Sequence, residues 1–160
     1  MSETNIIHGE KCKIHPYAEV GYKGKGHIEI GDNVKIERFC ILRTCGGRIK
    51  IGNRCRIGYF CVMHACGSIT IGDDVMLSPE VHIYAQNHGM KKNKLIARQK
   101  QTRKGVVINN DVWIGAKSII LDGVTIGVGS VIGAGSIVTK NIPEYEIWAG
   151  NPARKIKDRI

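Results

Sequence analysis

The sequence lacks any run of apolar residues long enough to span a bilayer, and Met1–Glu10 lacks the apolar segment of a signal peptide. It contains no CxxC pair among its six cysteines, and CxxC spacing is the usual mark of a structural zinc site. We therefore expect one domain over residues 1–160, with no transmembrane segment and no metal. We also expect a cytoplasmic location with reduced thiols.

A hexapeptide repeat occupies the chain from Ile108 to Ile137. Each unit opens with an aliphatic residue and carries a small or β-branched residue four places later; the units open at Ile108, Ile114, Ile120, Ile126 and Ile132. Side chains alternate along a strand, so the fifth residue of one unit and the opening residue of the next both point inward. Three units then close one triangular coil of a parallel β-helix, which is an all-β fold.

The same register extends backward with interruptions, beginning at Ile14. Surplus residues at Gly46–Gly47 and Cys66–Gly67 predict widened corners, because glycine tolerates positive φ. The β-helix is expected over about residues 14–143, followed by a C-terminal cap or tail over residues 144–160. Three cysteines fall at small inward positions and are predicted to pack as small apolar residues: Cys40, Cys55 and Cys61.

One long break, at about residues 87–105, has no aliphatic residue at the required spacing and is predicted to be a protruding loop. From His88 to Gly105 it has no acidic and no aromatic residue, in a chain of net charge +10. Without an aromatic to stack a base or a recognised motif, we do not expect nucleic-acid binding. A solvated loop and a loop that meets an anionic ligand both stay open. The loop's basic residues are Lys91, Lys92, Lys94, Arg98, Lys100, Arg103 and Lys104.

Four segments resemble one known family. They are Ile83–Gly89 (IYAQNHG), Val112–Ala116 (VWIGA), Val138–Pro143 (VTKNIP) and Ala149–Arg154 (AGNPAR). Together they resemble the hexapeptide-repeat acetyltransferases. The branch they are most similar to contains the sugar O-acetyltransferases, including galactoside and maltose acetyltransferases and polysaccharide-modifying homologues.

This resemblance implies a left-handed parallel β-helix, assembled as a homotrimer with an active site between each pair of adjacent subunits. It implies direct transfer of an acetyl group from acetyl-CoA to a sugar hydroxyl. His88 matches the family's general base, and the backbone N–H of Ala116 matches the donor to the oxyanion. Trp113 is expected to point outward, against either the pantetheine arm or a neighbouring subunit. The positions that match acetyl-CoA contacts are Ala116, Ala134, Thr139, Lys140, Arg154 and Lys157.

The acceptor does not carry over from the family. The family's acceptor-binding asparagine aligns with Gly58, and Cys66 stands near the place of an acidic acceptor contact. The basic loop favours an anionic acceptor, such as a diphosphate-linked sugar of surface-polysaccharide synthesis. N-acetylation of an amino sugar is the alternative.

Two other function classes remain open. A γ-class carbonic anhydrase shares the fold and needs three metal-binding histidines, for which only His64, His82 and His88 are available. A non-catalytic trimeric scaffold is the second class.

Overall fold

The computed structural model describes residues 5–21 and 25–160, and these residues form a parallel β-helix built from three sheets. The predicted start of the domain at residue 1 lies outside the described residues. The strands are β1 (Asn5–His8), β2 (Lys13–Ile14), β3 (Glu19–Val20), β4 (His27–Ile30), β5 (Lys35–Ile36), β6 (Ile41–Arg43), β7 (Arg48–Ile51), β8 (Arg56–Ile57), β9 (Val62–His64), β10 (Ser68–Ile71), β11 (Met76–Leu77), β12 (His82–Tyr84), β13 (Val106–Ile108), β14 (Trp113–Ile114), β15 (Ile119–Ile120), β16 (Thr125–Ile126), β17 (Val131–Ile132), β18 (Ile137–Val138), β19 (Glu146–Ala149) and β20 (Arg154–Asp158).

Each coil contributes one strand to each sheet. Sheet A has the order β1-β4-β7-β10-β13-β16, sheet B the order β2-β5-β8-β11-β14-β17-β19-β20, and sheet C the order β3-β6-β9-β12-β15-β18. All neighbouring strands are parallel except β19 and β20. The left-handed parallel β-helix expected from the sequence is confirmed. The prism has three corners, which we call A–B, B–C and C–A after the sheets they join.

The core consists of the inward ladders that the repeat predicts. In sheet B, for example, Ile36, Ile57, Leu77, Ile114 and Ile132 stack in successive coils, and each is at most 3% exposed. At the fifth position of the unit, small polar groups satisfy backbone carbonyls. The thiols of Cys40, Cys55 and Cys61 are buried as predicted and donate to the carbonyls of Gly58, Gly72 and Ser78.

A ladder of side-chain amides and carboxylates supports the A–B corner. Asp73 Oδ1 accepts the backbone N–H of Asn53 at 2.8 Å, and Asn110 Oδ1 accepts that of Asp73 at 2.9 Å. One coil below, Asn53 Oδ1 accepts the backbone N–H of Asp32, and two coils below, Asp32 Oδ1 accepts that of Glu10. Each step satisfies a corner N–H that faces away from the strand ladders.

The β-helix is longer than predicted at both ends. It starts with β1, one strand before Ile14, and β1 pairs with β4 although all four of its residues are exposed. At the other end, β19 continues sheet B in parallel with β17 and buries Trp148 over the last coil, so the segment 144–160 is more than a tail. Neither end keeps the hexapeptide pattern, because a terminal coil has core on only one side.

The predicted widened corners and the protruding loop are both present. Gly46 has φ +95°, and Gly47 lies so close to the next coil that a Cβ would meet the Gly67 carbonyl oxygen at 2.0 Å. Between β12 and β13 the chain leaves the C–A corner and carries a single 3-10 turn, Ile96–Arg98. No helix within residues 5–21 and 25–160 is long and apolar enough to cross a membrane.

Candidate active site

His88 lies at the base of the protruding loop, where the chain departs from the C–A corner. Just before it, Asn87 forms an antiparallel bridge with Thr102 through two backbone hydrogen bonds of 3.0 and 2.8 Å. This bridge closes the neck of the loop. The His88 side chain is exposed and, among the described residues, has no hydrogen-bond partner, so the imidazole is available to a ligand.

The loop itself is ordered by polar contacts. The side-chain amide of Gln99 bonds the backbone N–H and carbonyl of Lys91 and the carbonyl of Lys94, at 2.8–2.9 Å. At the exit, Asp122 accepts from the Thr102 hydroxyl and from the Gly105 N–H. The loop's seven basic residues form no ion pair within the described part of the chain. They therefore present positive charge beside His88.

The matched coenzyme positions divide into two groups. The first lies on sheet B and the B–C corner. Ala116 and Ala134 occupy this corner in successive coils, joined by a 2.8 Å hydrogen bond from Gly135 N–H to the Ala116 carbonyl. Arg154 pairs with Ala149 at the top of the corner, and Lys157 continues the outward column of Trp113 through Val131 and Ile147.

The second group lies at the C–A corner, with His88. Thr139 and Lys140 directly follow β18 there, two coils above the loop. The Lys140 ammonium lies 5.1 Å from the centre of the Trp148 ring. Lys140 thus departs from a different corner than Arg154 and Lys157, with which the resemblance grouped it, although its ammonium reaches the ring of Trp148 on β19, the strand that pairs with β20.

Sheet C separates the two groups. Ala116 precedes β15 and His88 follows β12, so they flank opposite edges of the same sheet. In this register Ala116 lies level with Pro79, and the extended chain of sheet C that runs from there towards His88 spans on the order of 15 Å. The Ala116 N–H has no partner within the described residues and is free to donate. The residues that match the family's base and oxyanion donor are therefore too far apart to reach one reacting carbonyl within a single chain.

Basic residues of the C-terminal hairpin differ in how they are neutralised. Lys155 contacts Glu146 and Asp158 at 2.6 and 2.8 Å, and Arg159 contacts Asp111 at 2.8 Å. Arg154 and Lys157 form no ion pair with any described residue. Within this hairpin, the two cations that match coenzyme contacts are thus the two without a carboxylate partner among the described residues.

Trp113 points outward as expected and is 48% exposed. Its indole N–H donates to the Ser78 hydroxyl at 3.0 Å, which fixes the ring on the surface of sheet B.

Gly58 has a structural role. A Cβ on Gly58 would meet the backbone nitrogen of Pro79 at 2.7 Å, which is closer than packing allows. Gly31, Gly52 and Gly72 occupy the same place in their units and approach the next coil equally closely. A side chain that binds the acceptor therefore does not fit at this position.

At the end of sheet C next to the C–A corner, the outward face carries a polar cluster whose convergence the sequence did not predict. His64 and His82 each pack edge-on against Tyr84, with ring centres 6.4 and 6.1 Å apart. Cys45 and Cys66 lie beside His64. Burial lowers the pKa of His64, and the Arg43 guanidinium lowers it further, whereas burial raises the pKa of the Cys66 thiol to about 11.

The three histidines of the carbonic anhydrase alternative do not converge. Within residues 5–21 and 25–160, the group that brings potential ligand atoms together contains His64 with two cysteines, and neither His82 nor His88. The ligand set on which that alternative depended is not formed.

The three-sheet prism with its six-residue period defines a hexapeptide-repeat β-helix protein. The bacterial transferase hexapeptide model (six repeats) matches residues 105–140, and the model for the hexapeptide repeat of succinyl-transferase matches residues 48–84. A solved structure of a mutant of AntD, an N-acyltransferase from Bacillus cereus, in complex with dTDP and coenzyme A, is 30% identical with a TM-score of 0.82. The match covers 98% of this chain and 86% of that one. The chain belongs to the hexapeptide-repeat acetyltransferase family, which confirms the resemblance.

Two other similar proteins carry acetyltransferase names. Galactoside O-acetyltransferase of Escherichia coli (strain K12) is 43% identical over 91 residues, which are 57% of this chain and 44% of that protein. The hexapeptide-repeat acetyltransferase VCA0836 of Vibrio cholerae, solved with acetyl-CoA, is 29% identical with a TM-score of 0.71 and coverages of 96% and 71%. The chain spans about half or less of the length of the curated relatives it matches.

Proposed function

We propose that this protein is an acetyl-CoA-dependent O-acetyltransferase that modifies a sugar hydroxyl and works as a homotrimer. One observation carries this proposal: the matched catalytic and coenzyme residues form two groups on opposite edges of sheet C. A neighbouring subunit that presents its B–C corner to the C–A corner of this one completes the site. Three such sites arise in a closed trimer.

The surface of the prism supports subunit contact on both faces that meet at the B–C corner. On sheet B, Met76 and Trp113 are 47% and 48% exposed. On sheet C, the outward column runs through Ile41, Val62, His82, Ile119 and Ile137, and it is largely apolar. Ile41 is exposed and the other members of the column are half-buried. Apolar surface in a continuous column is typical of surfaces that bind another protein. Trp113 either joins this contact or packs against the pantetheine arm.

The proposed reaction is a direct transfer. His88 accepts the proton of the sugar hydroxyl as the oxygen attacks the thioester carbonyl carbon. The N–H of Ala116, from the neighbouring subunit, stabilises the oxyanion. The C–S bond then breaks, and the proton passes from His88 to the departing sulfur. The products are the acetylated sugar and free coenzyme A.

The coenzyme is proposed to lie along the B–C corner past Ala116 and Ala134, with its phosphates near Arg154 and Lys157. Thr139 and Lys140 then contact it from the adjacent subunit. The AntD and VCA0836 structures, which hold coenzyme A or acetyl-CoA, support acetyl-CoA as the donor. Titration calorimetry tests this step: the reduced protein should bind acetyl-CoA, and the absence of binding would refute the acetyltransferase proposal.

The acceptor is proposed to be anionic, with a sugar carried on a diphosphate as the leading candidate. The seven cations of the loop that begins at His88 support this, because none of them forms an ion pair within the described residues, and only Arg103 donates to a side chain, that of Gln101. Structures of AntD hold dTDP or a dTDP-linked amino sugar. Rates with phosphate-linked sugars should exceed those with neutral sugars and fall as salt rises. Equal, salt-independent rates would contradict an anionic acceptor.

N-acetylation of an amino sugar is the second candidate. It is favoured by the similarity to another mutant structure of AntD, an N-acyltransferase, in complex with dTDP-4-amino-4,6-dideoxyglucose and coenzyme A, at 29% identity and a TM-score of 0.85. Mild alkali distinguishes the two products, because esters hydrolyse under conditions in which amides persist. Loss of the acetyl group from the product supports O-transfer, and its retention supports N-transfer.

A cytoplasmic location belongs to the same proposal, since acetyl-CoA is an intracellular metabolite and all six cysteines are free thiols.

A further inference from the structure

A cysteine–histidine cluster lies at the C–A corner, one coil below the base of the loop. Its members are Cys45, His64 and Cys66, and their ligand atoms all lie within 4.8 Å of one another. The strand register explains the convergence. Arg43 pairs with His64, so Cys45 and Cys66, each two residues further along, occupy equivalent positions in successive coils. The repeat therefore brings together residues that no short sequence motif connects.

The distances in this cluster suit a tetrahedral thiophilic metal ion. His64 Nε2 lies 3.1 Å from Cys45 Sγ and 3.7 Å from Cys66 Sγ. A tetrahedral zinc site, with Zn–N and Zn–S bonds of about 2.05 and 2.3 Å, separates nitrogen from sulfur by about 3.6 Å. One observed nitrogen–sulfur distance is shorter and the other slightly longer than this separation. The side chains therefore need to move by only about half an ångström to bind an ion.

Gln86 supplies a second, independent observation. It continues the column of Cys45 and Cys66 in the next coil, and its Nε2 lies 3.3 Å from His64 Nδ1. Its Oε1 is the one buried side-chain oxygen or nitrogen of the described residues that has no hydrogen-bond partner. An amide rotated by half a turn places Oε1 against Nδ1. A metal-bound histidine needs this arrangement, since its second nitrogen donates to a carbonyl or carboxylate.

We propose that Cys45, His64 and Cys66 form a binding site for a thiophilic divalent cation, with Zn²⁺ as the expected ion. Sγ, Nε2 and Sγ are the three protein ligands, and the fourth position is left to water or another exogenous donor. Gln86 orients the imidazole by accepting from Nδ1–H. The proposal departs from the sequence-based expectation of no metal, and it is independent of the acetyltransferase proposal.

Charge and proton balance give this site a measurable signature. Each thiol loses its proton when it binds the ion, while the imidazole is neutral and binds through Nε2 with its proton on Nδ1. Binding of one Zn²⁺ therefore releases two protons to solvent. No oxidant or reductant is involved.

The test uses the whole protein, stripped of metal with a chelator and kept reduced. Titration with Co²⁺ should produce thiolate-to-cobalt charge-transfer absorption that saturates at one ion per chain, and Zn²⁺ should displace the cobalt. A weakly buffered titration with Zn²⁺ should release two protons per ion. Both readouts are independent of acetyl transfer, so failure here is distinguishable from failure of the proposed function.

Variants then locate the site. Cys45→Ser, Cys66→Ser and His64→Ala should each abolish stoichiometric binding, with circular dichroism confirming that the β-helix is retained. Cys12→Ser is the matched control for Cys45→Ser, because Cys12 is partly exposed like Cys45 but lies outside the cluster, and it should bind as the original protein does. Gln86→Ala should keep the absorption band and weaken affinity about 10–100-fold.

Three outcomes would overturn the proposal. The first is a folded, reduced protein that binds no Co²⁺ or Zn²⁺ stoichiometrically. The second is binding that survives in both Cys45→Ser and Cys66→Ser. The third is a disulfide between these cysteines in the protein as isolated from cells, shown by a mass two hydrogens lower, together with the absence of bound metal.

Discussion

His88 is the residue at which the chain leaves the prism. Two backbone hydrogen bonds between Asn87 and Thr102 hold the neck of the loop just before it. The imidazole contributes nothing to a core ladder and is exposed. Its proposed role is therefore separable from the stability of the fold.

We predict that His88→Ala lowers kcat by about 10²–10⁴-fold, which is the usual contribution of a general base. Affinity for acetyl-CoA and the unfolding temperature should change little. Steady-state kinetics with the true acceptor, together with calorimetry, measure these quantities. His8→Ala, which alters an exposed histidine of β1, is the control. A His88→Ala variant that keeps most of its rate would exclude general-base catalysis by this residue.

Arg154 and Lys155 are adjacent and exposed in β20, but only Lys155 contacts carboxylates. We predict that Arg154→Ala weakens acetyl-CoA binding by about 1.5–3 kcal/mol, the contribution of a hydrogen bond to a charged group. Lys155→Ala, which removes a cation already neutralised by Glu146 and Asp158, should bind nearly as the original protein. Calorimetry on both variants measures the difference. Equal effects would argue against a phosphate contact at Arg154.

At this scale the sequence predicted some residues and missed others for a physical reason. The motifs around His88 and Arg154 are continuous in sequence, so their resemblance to a family was visible. Cys45, His64 and Gln86 come from three coils and meet only through strand register. To predict that these residues meet, one must know how many residues each widened corner contains, because that number sets the strand register. The aliphatic repeat does not fix that number.

Within the elements, the side-chain ladder of the A–B corner stabilises the stacking of coils. Asp73 accepts the Asn53 N–H, while the adjacent Asp74 contacts only the exposed guanidinium of Arg54. We predict that Asp73→Ala lowers the free energy of unfolding by about 1–2 kcal/mol, because a corner N–H loses its acceptor. Asp74→Ala should have a much smaller effect. Denaturant unfolding compares the two, and equal losses would contradict the ladder.

The same ladder predicts a pH dependence. The N–H and side-chain amide of Asn53 lower the pKa of Asp73. A carboxylate with a depressed folded-state pKa stabilises the fold fully above its unfolded pKa of about 3.9, and this contribution falls as pH drops through the folded-state value. The stability difference between the original protein and Asp73→Ala should thus be constant near neutral pH and shrink below about pH 4. Unfolding curves at several pH values measure it, and a difference that grows in acid would contradict it.

The hexapeptide period predicted most of the strands. Each six-residue unit has two inward positions, so the strands have only one register that buries Ile36, Ile57 or Ile114. It did not predict β1, whose residues are all exposed and held by backbone pairing with β4. It also did not predict β19, which adds to sheet B without a hexapeptide. Inside the loop, order depends on the amide of Gln99, and no pattern of hydrophobicity reports such a contact.

For the whole molecule, the central consequence of the fold is that the residues proposed for the active site lie in two separate groups on one prism. His88 and Lys140 lie at the C–A corner, whereas Ala116, Ala134 and Arg154 lie at or beside the B–C corner. In the proposed trimer, the C–A corner of one subunit meets the B–C corner of its neighbour and brings the two groups together. Sedimentation should show a trimer at assay concentrations, and an active monomer would contradict the shared site.

Mixing two inactive variants tests this central claim most directly. His88→Ala removes the base, and Ala134→Trp fills the proposed coenzyme path at an exposed position outside the core. Each homotrimer should be inactive. Equal amounts of the two variants are then unfolded and refolded together. In a shared site, each of the two corners is intact in about half of the interfaces, so both are intact in about one quarter of them. The account predicts recovery of about one quarter of the original activity per chain, and mixed trimers that stay inactive would contradict it.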